Sequence, residues 1–157
     1  MTDVQKGSLM GKKLEGQTIL VTGAGRGLGA SFCHIIAAAG ARVLALGRQE
    51  AALTHLITSL PGAGHDIVIA DVTDPVAVSA GLAGKSYNGV LNNAGIATTV
   101  PLHNSGVDDA KNVINTNLLG NLWVLQASVP VLLKAGGGVI VNVASVLGHR
   151  PLPQTGI

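Results

Sequence analysis

Aromatic side chains are nearly missing from this 157-residue chain, in which Phe32, Tyr87 and Trp123 each stand alone. Nucleic-acid modules stack bases on several such rings, so that class is excluded as a partner. Charge is scarce as well: Asp, Glu, Lys and Arg make up 11% of the chain, for a net charge of +2. So small an excess draws the protein neither to a polyanion nor to an anionic membrane surface. Cys33 is the single cysteine, which rules out an internal disulfide and suits a small core residue. The five histidines have no metal-ligand spacing. The more apolar of the two longest uncharged runs, residues 112–133, carries four Asn, a Gln and a Pro and is read as too polar for a membrane span. Residues 1–13 contain no apolar core of signal-peptide length and are read as a flexible polar tail. The expected setting is cytoplasmic, with neither membrane nor nucleic acid as a partner.

What the chain does have is apolar side chains, at 47%, and 22 glycines. Four of those glycines fall within Val21-Thr22-Gly23-Ala24-Gly25-Arg26-Gly27-Leu28-Gly29. An apolar run ending at Val21 precedes the stretch, and a helical pattern rich in Ala and Ile follows it to about Ala39. A strand that enters a helix through a glycine turn leaves unpaired N–H groups pointing outward, which favours an anion. Glycine lets a pyrophosphate approach the backbone without meeting a Cβ. The dinucleotide pattern G-x-G-x-x-G is missed, because Leu28 occupies its sixth position; the pattern met is T-G-x-x-x-G-x-G, through Gly23, Gly27 and Gly29. By itself the stretch is also compatible with a mere tight turn.

Further strands are predicted at 42–46, 66–70, 89–91 and 139–143, with helices between them. Gly40 and the Pro61-Gly62 pair stop two helices, and Thr73 or Asp74 caps a third that has Pro75 in its first turn. A long helix is predicted over 108–134 despite Gly120 and Pro130. The strands' apolar runs are nearly continuous, as in strands covered on both faces. Alternation of this kind predicts one α/β domain over 14–157, a Rossmann-like doubly wound parallel sheet with right-handed crossovers.

Five motifs in order then carry a family resemblance: the glycine turn, Asp71-Val72, Asn92-Asn93-Ala94-Gly95, Asn117 within Ile114-Asn-Thr-Asn-Leu118, and Ser145 closing Ile140-Val-Asn-Val-Ala-Ser145. Together they resemble the short-chain dehydrogenase/reductases, over Leu14 to the last residue. The resemblance implies an oxidoreductase acting on a small carbonyl or alcohol substrate, with a nicotinamide cofactor and a homo-oligomeric intact protein. It implies cofactor contacts at Gly23, Arg26, Gly27, Leu28, Gly29, Asp71, Val72, Asn93, Ala94 and Gly95. Asp71 would read the adenine amino group, and the alternative, a helix-capping aspartate, is compatible with that role. Asn92 is read as structural, its amide pinning neighbouring strands. Asn115 is expected to make a core hydrogen bond. Asn117 is expected to kink its helix and hold a water of a proton relay, and Ser145 to bond the substrate oxygen. At the end of strand two the position of an NAD-binding acid is taken by Gly47, and Arg48 follows it. Arg48 and Arg26 suit a 2′-phosphate, so NADP(H) is favoured over NAD(H); a solvated loop charge is the plain alternative for Arg48.

The family's Y-x-x-x-K pair falls a dozen or so residues after the serine, and no such motif lies within the 157 residues. Tyr87, before strand four and with no Lys four residues on, does not replace it. The chain is therefore read as the N-terminal portion of an enzyme, inactive alone. The alternative is a non-catalytic nucleotide-binding or interaction module that pairs with a full-length relative. An S-adenosylmethionine-binding domain is a third class, disfavoured by Arg48 and by Asn92-Asn93-Ala94-Gly95. In the family's strand order a further strand lies beside strand five, so residues 139–143 are expected to form an open apolar edge.

Overall fold

A computed structural model of the protein describes residues 13–150 and 152. The tail expected over 1–13 lies outside these, apart from Lys13. Five strands form one parallel sheet: β1 (Thr18–Thr22), β2 (Arg42–Gly47), β3 (Asp66–Ile69), β4 (Gly89–Asn92) and β5 (Val139–Asn142), in the order β3-β2-β1-β4-β5. Helices α1 (Gly27–Ala38), α2 (Glu50–Ser59), α3 (Pro75–Leu82), α4 (Val107–Ile114) and α5 (Asn121–Lys134) cross between them. Between α4 and α5, Asn115–Gly120 widens into a π-helical turn, so the predicted long helix is continuous but not uniform.

Successive residues of β1 and β2 point to opposite faces, and each face has its own core. Leu20, Leu44 and Leu46 pack with Val78 and Leu82 of α3 and with Val124 and Leu132 of α5. Val21, Val43 and Ala45 pack with Cys33 and Ala37 of α1 and with Leu53 and Leu56 of α2. This two-sided burial is the physical reason the strands read as unbroken apolar runs.

Local chemistry sets the element ends. Asp74 accepts the N–H groups of Val76 at 2.9 Å and Ala77 at 3.0 Å, ahead of Pro75 at the first position of α3. At the start of α4, Asp109 accepts the Gly106 N–H at 3.0 Å. Asn88, just before β4, accepts the Thr18 N–H at 3.1 Å and ties the base of β4 to β1. Asn92 donates through Nδ2 to Asn142 Oδ1 at 3.1 Å, across the register pair that closes β4 on β5. Tyr87 is buried in the core and donates to the Ser128 hydroxyl at 3.0 Å.

One expectation needs correcting. The amides within 112–133 suggest a segment too polar to span a bilayer, yet Val107–Lys134, 28 residues that include an 18-residue window of mean hydropathy 1.2, is long and apolar enough by length and composition alone. Gly120, Val124, Ser128 and Leu132 form a buried stripe at four-residue spacing. Val124 and Leu132 of that stripe belong to the core beside β4.

Candidate functional site

The sheet's crossovers reverse direction at β1, which has β2 on one side and β4 on the other. Loops from two halves diverge at the carboxyl ends of these strands, the place where open α/β sheets leave a crevice. Here the crevice is a cavity of about 1030 Å³, at the upper end of the roughly 300–1,000 Å³ usual for small-molecule clefts.

Its floor is the turn after β1. Gly23 has φ +64°, and a Cβ there would stand 2.9 Å from Ala94 Cα. A Cβ on Gly29 would lie 2.1 Å from the Gly23 carbonyl oxygen, so the first turn of α1 sits directly on the loop that precedes it. Arg26 is the N-cap of α1 in an extended conformation, its side chain makes no capping bond, and no acid stands in the first turn. The leading N–H groups of α1 are left without side-chain partners, and the helix dipole favours an anion in front of them.

Thr22 joins this floor to the loop after β4. Its fully buried hydroxyl accepts the N–H groups of Asn93 and Ala94, both at 3.0 Å. Asn93 Nδ2 in turn donates to the Thr22 carbonyl at 3.0 Å. The loops that follow β1 and β4 are thereby held as one surface. The signal for Thr22 in the sequence is a hydroxyl placed directly after the apolar run Ile19-Leu20-Val21.

At the other end of the cavity Arg48 Nη1 lies 3.4 Å from Asp71 Oδ2. Asp71 Oδ1 accepts from the Thr73 N–H at 3.0 Å and the Thr73 hydroxyl at 2.9 Å. Burial alone would raise the Asp71 carboxyl, but the Thr73 bonds and the Arg48 guanidinium hold it below the usual carboxylate range. The helix-capping role belongs to Asp74, three residues on. Val72 borders the cavity with its side chain turned into the core.

Gly23, Arg26, Gly27, Leu28, Gly29, Arg48, Asp71, Val72, Asn93, Ala94 and Gly95 all line this one cavity. Gln49, Ile96, Asn112 and Thr116 line it too without being singled out from the sequence, as does Thr73, which the sequence offers only as a helix cap. Asn112 and Thr116 are four apart on one helical face, a spacing that was legible. Ser145 and Asn117 are not among the lining residues. Ser145 follows β5, is exposed, and accepts the Leu147 N–H at 3.2 Å, the bond of a serine capping a turn. Asn117 lies in the π-helical turn and clamps Ile96: its Oδ1 accepts the Ile96 N–H and its Nδ2 donates to the Ile96 carbonyl, both at 2.8 Å. Asn115 is exposed, so its amide needs no core partner, contrary to expectation. Among the described residues no group of three His, Cys, Asp or Glu could hold a metal ion.

The residues at this cavity fit a dinucleotide. The glycine floor leaves open what two Cβ atoms would fill, α1 presents unpartnered N–H groups, and Arg26 and Arg48 supply cationic donors.

Comparison with known proteins agrees with this geometry. The family profile described as short chain dehydrogenase matches residues 17–157. A galactitol 2-dehydrogenase (L-tagatose-forming) of Cereibacter sphaeroides is 36% identical over 149 residues, covering 88% of this chain and 58% of that protein. The crystal structure of a 3-oxoacyl-[acyl-carrier protein] reductase from Brucella melitensis superposes with a TM-score of 0.86 at 26% identity, covering 99% of this chain and 62% of that one. The closed form of a serine dehydrogenase complexed with NADP+ superposes with a TM-score of 0.81 at 30% identity, covering 87% and 57%. The chain thus spans about three-fifths of the length of these relatives.

Proposed function

This chain belongs to the short-chain dehydrogenase family, and from that premise we propose that it is the cofactor-binding portion of an NADP(H)-dependent oxidoreductase interconverting a small carbonyl and its alcohol. The observation that carries the reading is the convergence of the glycine turn, Arg48, Asp71 and the Asn93–Gly95 loop on one cavity at the sheet's switch point. When bound, the nicotinamide cofactor supplies or accepts the hydride.

The chain's own residues divide the remaining work. The N–H groups leading α1, with Gly23, Gly27 and Gly29, receive the pyrophosphate. Asp71 takes the adenine amino group, and Arg48 with Arg26 takes a 2′-phosphate, in a cavity whose strand-two end has Gly47 instead of an acid. Asn93, Ala94 and Gly95 support the ribose. Ser145 donates its hydroxyl to the substrate oxygen. Asn117 has both side-chain groups committed to Ile96, so it positions the loop after β4; its carbonyl already accepts Asn121 Nδ2 at 2.7 Å. In this reading the relay water sits at the π-helical turn that Asn117 occupies. The intact protein is a homo-oligomer working in the cytoplasm.

A binding-only reading has one observation in its favour. Tyr87 is 2% exposed and spends its hydroxyl on Ser128, and burial raises its phenol against a smaller opposing effect of that bond. No other tyrosine among the 157 residues could move the proton. Both readings require the same cofactor site, and equilibrium titration tests it. The chain is expected to bind NADPH more tightly than NADH by about 10- to 150-fold, the worth of charge-assisted bonds, and Arg48→Asp is expected to abolish the preference. Equal affinities in the wild type overturn the NADP(H) assignment.

A further inference from the structure

The cavity contains two cations and one anion: Asp71 is the only carboxylate among its lining residues, opposite Arg26 and Arg48. That single anion is paired with one of the two cations. Arg48 Nη1 and Asp71 Oδ2 are 3.4 Å apart, with one bond and not the two parallel bonds of a fork-to-fork pair. The two ends of this pair are held very differently. Asp71 is anchored, its other oxygen taking both the N–H and the hydroxyl of Thr73. The Arg48 side chain is 67% exposed against 38% for Asp71. If the pair opens, the guanidinium swings and the carboxylate stays.

We propose that Asp71 is a specificity-determining residue that competes with the 2′-phosphate for Arg48, acting as an internal stand-in for that anion. The inference rests on the NADP(H) reading above and goes further, because it assigns Asp71 an effect at the ribose phosphate as well as at adenine. A cofactor without the phosphate leaves the Arg48–Asp71 pair closed. A phosphorylated one must first break it, then accept a fixed negative charge beside the new ion pair. The preference for a 2′-phosphate is therefore weaker in the wild type than Arg48 alone would give. A residue that merely positioned Arg48 would have the opposite effect, since its removal would weaken phosphate capture.

The test uses the 157-residue chain and two fragments of the cofactor, 5′-AMP and adenosine 2′,5′-bisphosphate, with dissociation constants from calorimetry. The ratio of the two constants isolates the phosphate, so any loss of adenine binding cancels. Asp71→Asn keeps an acceptor for Thr73 and removes the charge; Asp71→Ser is the second variant, should the first fail to fold. In both the ratio is expected to rise by about 1.5- to 5-fold, the range of an exposed ion pair. A ratio above one in the wild type that is unchanged or lowered in the variants overturns the competition and leaves the NADP(H) reading standing. A wild-type ratio of one overturns both.

Discussion

At the scale of single residues, what decides this protein's behaviour is which polar groups are buried and what they meet. Cys33 is fully buried on α1. Burial pushes its thiol up from 9.0 to about 12, against a smaller lowering by a backbone hydrogen bond. The folded state therefore favours the protonated thiol, and its contribution to stability is complete below the unfolded value and lost as pH rises through the folded one. Urea midpoints are expected to fall between pH 9.0 and about 12, and Cys33→Ala to remove part of that fall. Tyr87 adds a drift of the same sign, since burial raises it as well. The native thiol is also expected to resist modification by a disulfide reagent at pH 8 until the chain unfolds. Rapid labelling of native protein, or a pH dependence unaltered in Cys33→Ala, would contradict the buried placement. The position of Cys33 among Ala and Ile was legible in the sequence. The partners of Thr22 and Asn117 were not, because both bond backbone across more than twenty residues of chain.

At the scale of elements, sequence and structure agree where local chemistry fixes the ends. Asp74 and Pro75 announce α3, and Gly40 closes the stretch after α1 with φ +96°. The π-helical turn at Asn115–Gly120 was only foreshadowed as a kink, since a widened turn is a change of hydrogen-bond partner that leaves the apolar pattern intact. Strand β5 shows what the pattern could not weigh. Its residues are as apolar as those of β4, yet all four are exposed, where three of the four in β4 are buried. β5 pairs with β4 on one side, and no other strand pairs with it among the described residues. An exposed strand of Val139, Ile140 and Val141 without charge or proline invites pairing with another chain. Along the helical stretch before it, Leu118, Leu122 and Leu133 are exposed as well. The isolated chain is therefore expected to self-associate, and Val141→Lys to reduce its mean mass in light scattering. A monodisperse monomer with cooperative unfolding would contradict that expectation.

At the scale of the whole molecule, the sheet order converts five separate motifs into one surface. Strands β1, β2 and β4 deliver the glycine turn, Gly47 with Arg48, and Asn93 with Gly95 to the same end of the sheet. The eleven residues expected at a cofactor came from the family resemblance, and all eleven line one cavity; at Gly23 and Gly29 the residue type also has a local reason, since a Cβ there would collide with backbone. Ser145 is expected at the site by resemblance alone, and it stands outside the cavity lining with a turn N–H as its partner. Substrate identity has no comparable local signature among these residues. The central claim is that this end of the sheet binds a nicotinamide dinucleotide, and amide hydrogen exchange with and without NADPH tests it most directly. Exchange is expected to slow at residues 23–29, at 47–49 and at 93–96, while residues 139–142 remain as fast as in the free chain. Unchanged exchange across the glycine turn, or protection confined to β5 and α5, would contradict the account.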